Sequence, residues 1–308
     1  MSPATYAVGA DVGGTRVRLM VQDLATGERS PFTETPVPRT TEQLVDVLAR
    51  MAAELCAGGS AATLAVGLPG QVTAGRCVWI PNLRFLDGSP LAALLEEQLS
   101  VPCRLSNDAQ ATLVAEGREG AARGHDDALL LAVGTGIGGA VQIGGRVVPG
   151  AHGCAGSFGW LPLAGGARNA DHGEWETAAS GRSLEELGAP WGSVQDMLAA
   201  ARAGEAAALA TVDAEARLLG RGAAALASVF DPGVVVFAGG LVQAFDLLEG
   251  GMRANLAEYA SPAGRTVPIV PAALGSAAGV IGALHLAIDS AVGRPEPVLQ
   301  AEKIARPT

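Results

Sequence analysis

At 308 residues the chain is longer than one hydrophobic core usually serves, so two lobes are expected. Hydrophobic residues make up 49% and charged ones 17%, enough for a buried core and too apolar for a disordered segment. The net charge of −10, with no run of Lys and Arg, argues against a nucleic-acid surface.

The first stretch with chemistry in it is V-G-A-D-V-G-G-T-R, Val8 to Arg16, a short buried strand ending in a glycine turn. Gly13 and Gly14 lack Cβ, so their N–H groups can approach phosphate oxygens, while Asp11 can hold Mg²⁺ and Thr15 can donate a hydrogen bond. The same residues also suit an ordinary hairpin turn capped by Asp. Asp11 interrupts the first apolar run, so no signal peptide is expected, and no stretch approaches the ~18 apolar residues of a membrane span. Val17, Leu19 and Val21 alternate with polar neighbours, the period of a half-buried strand, and Ala25 to Glu28 turns it into a hairpin. Thr40 and Gln43 have capping-box spacing ahead of Leu44, Val47, Leu48, Met51 and Leu55, one face of a helix. Thr63 to Gly67 reads as a buried strand ended by the turn Leu68 to Gly70. Ser89 as N-cap with Pro90 at N1 opens a second helix, followed by a strand over Val101 to Leu105 and then Asn107 and Asp108.

The second half restarts the pattern. Ala128 to Val133 is a continuous apolar strand, followed by G-T-G-I-G-G at Gly134 to Gly139, the strand Ala140 to Ile143 and a two-glycine turn. Two copies of strand, glycine turn and antiparallel strand suggest two similar lobes facing a cleft. Gly150 to Glu176 is glycine-rich with His152, Phe158, Trp160, His172 and Trp175, an ordered loop over that cleft. Ala-rich helices span Val194 to Phe230, a strand spans Val234 to Ala238, and Gly239 and Gly240 turn the chain into a helix running to Tyr259. The last helix, Ala277 to Ile288, packs back onto the first lobe. The expected division is 1–118, rejoined by 277–308, and 119–276.

G-T-G-I-G-G also fits the G-x-G-x-x-G of a dinucleotide site, but that motif needs a helix to follow at once, because its pyrophosphate rests on the helix N-terminus. Here strands follow, joined by a hairpin turn at Gly144 and Gly145, so a phosphate-binding hairpin turn is the better reading. Cys56, Cys77, Cys103 and Cys154 are scattered without a C-x-x-C pair, which indicates neither a zinc ribbon nor a disulfide scaffold and makes reduced, cytoplasmic thiols the default.

D-V-G-G-T-R at Asp11, N-D-A-Q-A at Asn107, G-T-G-I-G-G at Gly134, A-G-S-F-G-W at Ala155 and A-G-G at Ala238 occur in an order that resembles the ROK family of sugar kinases. The resemblance extends over nearly the whole chain and takes in P-N-L at Pro81 and G-E-W-E-T-A-A-S-G at Gly173. It implies an α/β chain of the actin-like ATPase (ribonuclease H-like) fold, with two lobes around a cleft, that as a homodimer transfers the γ-phosphate of ATP to a sugar hydroxyl with Mg²⁺. It further implies that Asp11, Gly13, Gly14, Thr15, Arg16, Gly134, Thr135, Gly136 and Gly138 serve the phosphates, that Gly239 and Gly240 serve the adenosine, and that Gly70, Asn82 and Asn107 line the sugar pocket. Asp108, at a strand end, is the candidate base for the hydroxyl proton. Its other reading is an N-cap for the following helix.

Departures from the family pattern concentrate in the sugar loop. Where the family carries A-G-E-x-G-H, this chain has Ser157 and Trp160 in place of the Glu and His. Where it carries a C-x-C-G-x-x-G-C zinc segment, Ala167, Asn169 and Glu174 fill the thiolate positions, so no zinc is expected. Packing of Phe158, Trp160 and Trp175 is the expected substitute for zinc, unless Trp160 reaches the pocket as a stacking face. Glu176 remains for sugar hydroxyls. Losing the carboxylate at Ser157 should let the pocket accept sugars altered there. The expected acceptor is therefore the primary 6-hydroxyl of a hexose or modified hexose, glucose- or kanosamine-like, with a cyclitol, N-acetylmannosamine, or a non-catalytic sugar-binding regulator as alternatives.

Overall fold

The computed structural model describes residues 4–163 and 171–294. From the N-terminus, β1 (Thr5–Val12), β2 (Arg16–Asp23) and β3 (Thr33–Pro36) precede α1 (Thr41–Leu55) and β4 (Ser60–Leu68). The short strands β5 (Gln71–Thr73) and β6 (Arg76–Trp79) lead to α2 (Leu91–Leu99), β7 (Cys103–Asn107) and α3 (Asp108–Glu119). Then come β8 (Ala128–Val133), β9 (Ile137–Ile143), β10 (Arg146–Val147), α4 (Glu174–Ala178), α5 (Gly181–Gly188) and α6 (Val194–Arg202). The chain closes with α7 (Ala206–Phe230), β11 (Val234–Ala238), α8 (Phe245–Tyr259), β12 (Ile269–Pro271) and α9 (Ala278–Ala291). None of the described helices is long and apolar enough to cross a membrane.

These elements form two compact units. One runs to Glu119, takes in Arg146–Ala155 and resumes at Leu274; the other comprises Gly120–Gly145 and Gly156–Ala273. Composition does not mark the excursion at Arg146–Ala155, because tertiary hydrogen bonds make it. Gln110 Nε2 donates to the carbonyls of Pro149 and Ala155 at 3.4 and 3.3 Å, and Gln71 Nε2 donates to the His152 carbonyl at 3.0 Å.

The first unit's sheet has the order β3-β2-β1-β4-β7, with β1 antiparallel to β2 and parallel to β4, which is parallel to β7. In the second unit β9, β8, β11 and β12 follow in the same way, β8 antiparallel to β9 and parallel to β11, which is parallel to β12. The internal repeat read from the sequence is thus a repeat of strand topology.

Strand alternation decides what each face of the first sheet meets. Val8, Ala10, Val12, Leu64, Val66 and Leu68 pack with Leu44, Leu48, Leu91 and Leu95 of α1 and α2. Each of these leucines is fully buried and contributes about 1.5–3 kcal/mol of transfer free energy. Ala7 and Ala65 point the other way, toward Ala111 of α3 and Val280, Leu284 and Ala287 of α9. The residues on this second face are small, and α9 comes in close as a result. A Cβ at Gly9 would collide with the backbone of Leu284, and one at Gly282 with the Ala111 carbonyl. The same alternation puts Asp11 on the α9 face.

Thr40 caps α1 as expected, accepting from Gln43 N at 3.2 Å. The start of α2 differs from expectation. Pro90 is its N-cap residue, without a side-chain cap, and Ser89 is turned inward with no partner for its hydroxyl among the described residues. The chain is committed just before: Cys77 N donates to the Ser89 carbonyl at 2.9 Å and Ser89 N to the Leu86 carbonyl at 2.9 Å, which hold Ser89 in the turn. The β5–β6 hairpin, too short to show a period, escaped the sequence reading.

Because Gly282 touches a carbonyl of a neighbouring helix, a side chain there must push α9 off α3. Gly282→Val should destabilise the protein by about 1–3 kcal/mol or more. A lower urea midpoint with an unchanged slope is the expected observation.

Candidate active site

In the first unit the candidate residues gather at one end of the sheet, where β1, β4 and β7 all finish. The β1–β2 hairpin closes with Gly13 N donating to the Arg16 carbonyl at 2.9 Å, and Gly14 and Thr15 stand exposed at its tip. Asn82 comes against this tip: a Cβ on Gly14 would lie 3.5 Å from Asn82 Cβ. Arg16 points along the sheet instead, its guanidinium 2.6 Å from Glu34 on β3.

The register of that hairpin sets Asp11 directly opposite Arg18. The two approach to 3.8 Å, while Arg18 also donates to Glu34 at 3.2 Å and to the Ser276 carbonyl at 3.0 Å. Burial pushes the Asp11 carboxyl up to about 6, with Arg18 opposing the shift. The start of α9 stands beside it, and a Cβ at Gly279 would lie 2.8 Å from Asp11 Cγ. A helix N-terminus favours negative charge there. Glycine at 279 leaves room beside the carboxylate, whose side chain keeps 16% of its surface, and an accessible oxygen donor suits a hard divalent cation. The residues therefore fit Mg²⁺, with Asp11 as its protein ligand, directly or through water.

Asn107 and Asp108 sit at the junction of β7 and α3, and the structure separates their duties. Asn107 is the cap: its Oδ1 accepts from Ala109 N at 2.9 Å and Gln110 N at 3.3 Å. Its Nδ2 donates to the Gly70 carbonyl at 3.0 Å, tying the turn after β4 to the helix. Gly70 has no room for a side chain, since a Cβ would collide with the Trp79 carbonyl. The N-cap reading of Asp108 therefore passes to its neighbour, because Asn107 already occupies the capping position. Asp108 accepts one bond, from Ala109 N at 2.8 Å, and keeps some accessible surface. Protein packed round its carboxyl, and then the charge of Asp11, push it up to about 7 against the pull of the Ala109 and Asp108 amides.

The remaining candidates belong to the second unit. Between β8 and β9, Gly134 N donates to the Gly136 carbonyl at 2.9 Å, which leaves Thr135 exposed at the tip. A Cβ at Gly134 would lie 3.8 Å from Gly240 N, and Gly239, at φ +85°, abuts the Val133 carbonyl. Thus Gly134, Thr135, Gly136, Gly138, Gly239 and Gly240 form one glycine-lined corner.

In the loop expected to meet the sugar, Phe158 and Trp175 are buried, Trp175 against Gly222 of α7, but Trp160 is 46% exposed. The packing expected of all three is supplied by two, because the backbone at Gly159 and Trp160 lies so tightly on Gly173 that the Trp160 ring is left outside. Ser157 is exposed beside it. Ala167 and Asn169 lie outside the described residues. No group of three His, Cys, Asp or Glu side chains able to hold a metal occurs among the described residues. Glu176 faces its own unit: Oε2 accepts from Ile137 N at 2.8 Å, and Oε1 lies 2.7 Å from His172 Nδ1.

Arg18, Gly279, His172 and Arg182 were missed by sequence reasoning. For Arg18 the signal was present, since a hairpin closing over Gly13 to Arg16 must put residue 18 opposite residue 11. For His172 it was the i, i+4 spacing to Glu176.

Three comparisons place this geometry among known proteins. The model of the ROK family matches residues 7–290. The chain is 29% identical to a glucokinase of Streptomyces coelicolor over 95% of its own length and 99% of the relative, and 32% identical to an N-acetyl-D-glucosamine kinase of Pectobacterium atrosepticum over 90% and 98%. It superposes on the crystal structure of a ROK family glucokinase from Streptomyces griseus in complex with glucose and AMPPNP with a TM-score of 0.74 at 29% identity, covering 91% of this chain and 98% of that one.

An aspartate whose folded pKa lies above its unfolded value takes up a proton on folding between the two, so its contribution to stability falls as pH rises from roughly 4 to 7. Asp108→Asn removes that loss. The variant's gain in melting temperature over the wild type should grow across this window and level off above it, as scanning calorimetry at several pH values would show.

Proposed function

We propose that this chain, which belongs to the ROK family, transfers the γ-phosphoryl group of ATP to the primary hydroxyl of a hexose or modified hexose. It is a sugar phosphotransferase with the actin-like ATPase fold. The observation that carries the finer reading is Asp108, a carboxyl at a strand end whose surroundings bring it to about 7. A base is most useful when its pKa lies near working pH, since it must be ionised yet still take a proton readily.

Phosphoryl transfer asks the protein for position and charge rather than covalent help. In the proposed reaction Asn107 and Gly70 hold the sugar end of the first unit, with Asn82, beside the Gly14 turn, completing the pocket. Asp108 accepts the hydroxyl proton as the sugar oxygen bonds to the γ-phosphorus and the bond to the ADP oxygen breaks. Asp11 would hold Mg²⁺, which supplies positive charge to the phosphates when bound. The corner of Gly134, Thr135, Gly136, Gly138, Gly239 and Gly240 receives the nucleotide, since glycine backbone admits phosphate oxygens and a flat base where side chains would not.

For the acceptor, Ser157 and the exposed Trp160 support a substituted hexose of the glucose or kanosamine type. Trp160 offers a flat apolar face, and neither residue offers a carboxylate. The N-acetyl-D-glucosamine kinase among the relatives supports an N-acetylated hexose as a second reading.

A coupled ADP-release assay over glucose, mannose, kanosamine, N-acetylglucosamine, N-acetylmannosamine and cyclitols tests both readings, and ATP turnover with none of them would refute the assignment. Asp108→Asn should cut turnover by about 10² or more while sugar binding persists. In the wild type, kcat/KM for the sugar, which reports the free enzyme, should rise with pH through a midpoint near the Asp108 value of about 7. Near-normal turnover in the variant would remove Asp108 from the role.

A further inference from the structure

By resemblance Glu176 belongs to the sugar, yet both its oxygens are engaged inside the second unit. Oε2 takes the N–H of Ile137, the residue that ends the glycine turn, at 2.8 Å. Oε1 is 2.7 Å from His172 Nδ1, and His172 Nε2 is 2.6 Å from Arg182 Nη1. A guanidinium has donors only, so Nε2 must accept. That puts the imidazole proton on Nδ1, donating to Glu176, and every partner in the chain Arg182, His172, Glu176, Ile137 is matched donor to acceptor.

The segment that carries these side chains also holds the turn through its backbone. Gly181 N donates to the Gly134 carbonyl at 2.7 Å and Arg182 N to the Thr135 carbonyl at 3.4 Å. A Cβ at Gly136 would collide with the Glu176 carboxylate, so the carboxylate fills the space behind the turn. Two needs meet at this point. A glycine turn is entropically loose and presents its amides to an anion only if something fixes it. A bare carboxylate so close would repel that anion, and the donated imidazole proton and the guanidinium behind it offset the charge.

We propose that His172 is a positioning residue: acting through Glu176, with Arg182 behind it, it fixes the Gly134–Gly139 turn in the shape that receives the nucleotide's phosphates. The inference rests on the reading of that turn as the nucleotide site. It gives His172 and Arg182 a role, and gives Glu176 one at the nucleotide turn.

The test is ATP binding by titration calorimetry, with KM for ATP and for the sugar measured separately, on the wild type, His172→Ala, His172→Gln and Arg182→Met. In His172→Ala the Kd and KM for ATP should rise about tenfold, the loss of one hydrogen bond to a charged group, with the sugar KM held within about twofold. His172→Gln should recover most of the loss, because its carboxamide can both donate to Glu176 and accept from Arg182. Arg182→Met should fall between the two. Unchanged ATP affinity in His172→Ala, or a rise confined to the sugar KM, would overturn the proposal. If His172→Ala fails to fold, the other two variants decide: wild-type ATP affinity in Arg182→Met overturns the proposal, and weakened ATP binding there with recovery in His172→Gln supports it. A wild-type protein that binds no ATP fails the nucleotide reading itself, which the wild-type titration reports independently of any variant.

Discussion

Two carboxylates at the same end of one sheet, Asp11 on β1 and Asp108 after β7 with β4 between those strands, are the constraint on which the first unit's proposed chemistry depends. Asp108 is held up by its surroundings and by the negative charge of Asp11, so the state of one sets the readiness of the other. Arg18 and the start of α9 bear on Asp11 and favour its ionised form. An ionised Asp11 in turn leaves Asp108 more willing to take a proton. In the proposed reaction a phosphate-side carboxylate and a sugar-side carboxylate divide the labour of a kinase, and environment raises both of these identical side chains, Asp108 the further.

That division is possible because one face of the sheet is built from small residues. Ala7, Gly9 and Ala65 let α9 lie almost on the backbone of β1, and Gly282 lets it lie on α3. The approach fixes the helix start at Gly279, beside Asp11, where a larger residue would cover the carboxylate. Packing and electrostatics are thus one arrangement. Gly9 and Gly282 bring the helix in, and Gly279, one turn earlier on it than Gly282, leaves room beside the acid.

Much of this was legible in the sequence where the signal was local. The period of two at Val17 to Val21, the cap at Thr40 and the strand-not-helix continuation after Gly139 all follow from neighbours in the chain. The family resemblance supplied the order of the motifs. What stayed hidden depends on tertiary register. Asn107 rather than Asp108 caps α3 because the Asn side chain reaches two amides and the Gly70 carbonyl at once, and nothing in N-D-A-Q-A says which of the two polar residues turns back. Ser89 was read as a cap because Ser before Pro favours it, but hydrogen bonds at its own backbone hold it in the preceding turn. Trp160 is left exposed by a backbone contact with Gly173 that no pattern in the loop announces.

The repeated topology sharpens the contrast between the two glycine turns. The innermost pair of the first hairpin is Val12 with Val17, and the next is Asp11 with Arg18. In the second hairpin the innermost pair is Val133 with Ile137, and the next is Ala132 with Gly138. The positions that carry an ion pair in one copy are thus empty of charge in the other. The charges reappear at the second turn from outside the hairpin, as His172, Glu176 and Arg182 on residues 172–182. A strand pair that lost its own polar side chains has more room for a ligand against its backbone, but it also has less to hold its shape. Support must then come from a neighbouring segment, and a carboxylate is suited to it, since it accepts the Ile137 amide and leaves the turn's remaining groups to face outward. The cost is a negative charge behind a turn proposed to receive anions, and there the carboxylate is joined to an imidazole and a guanidinium rather than left alone.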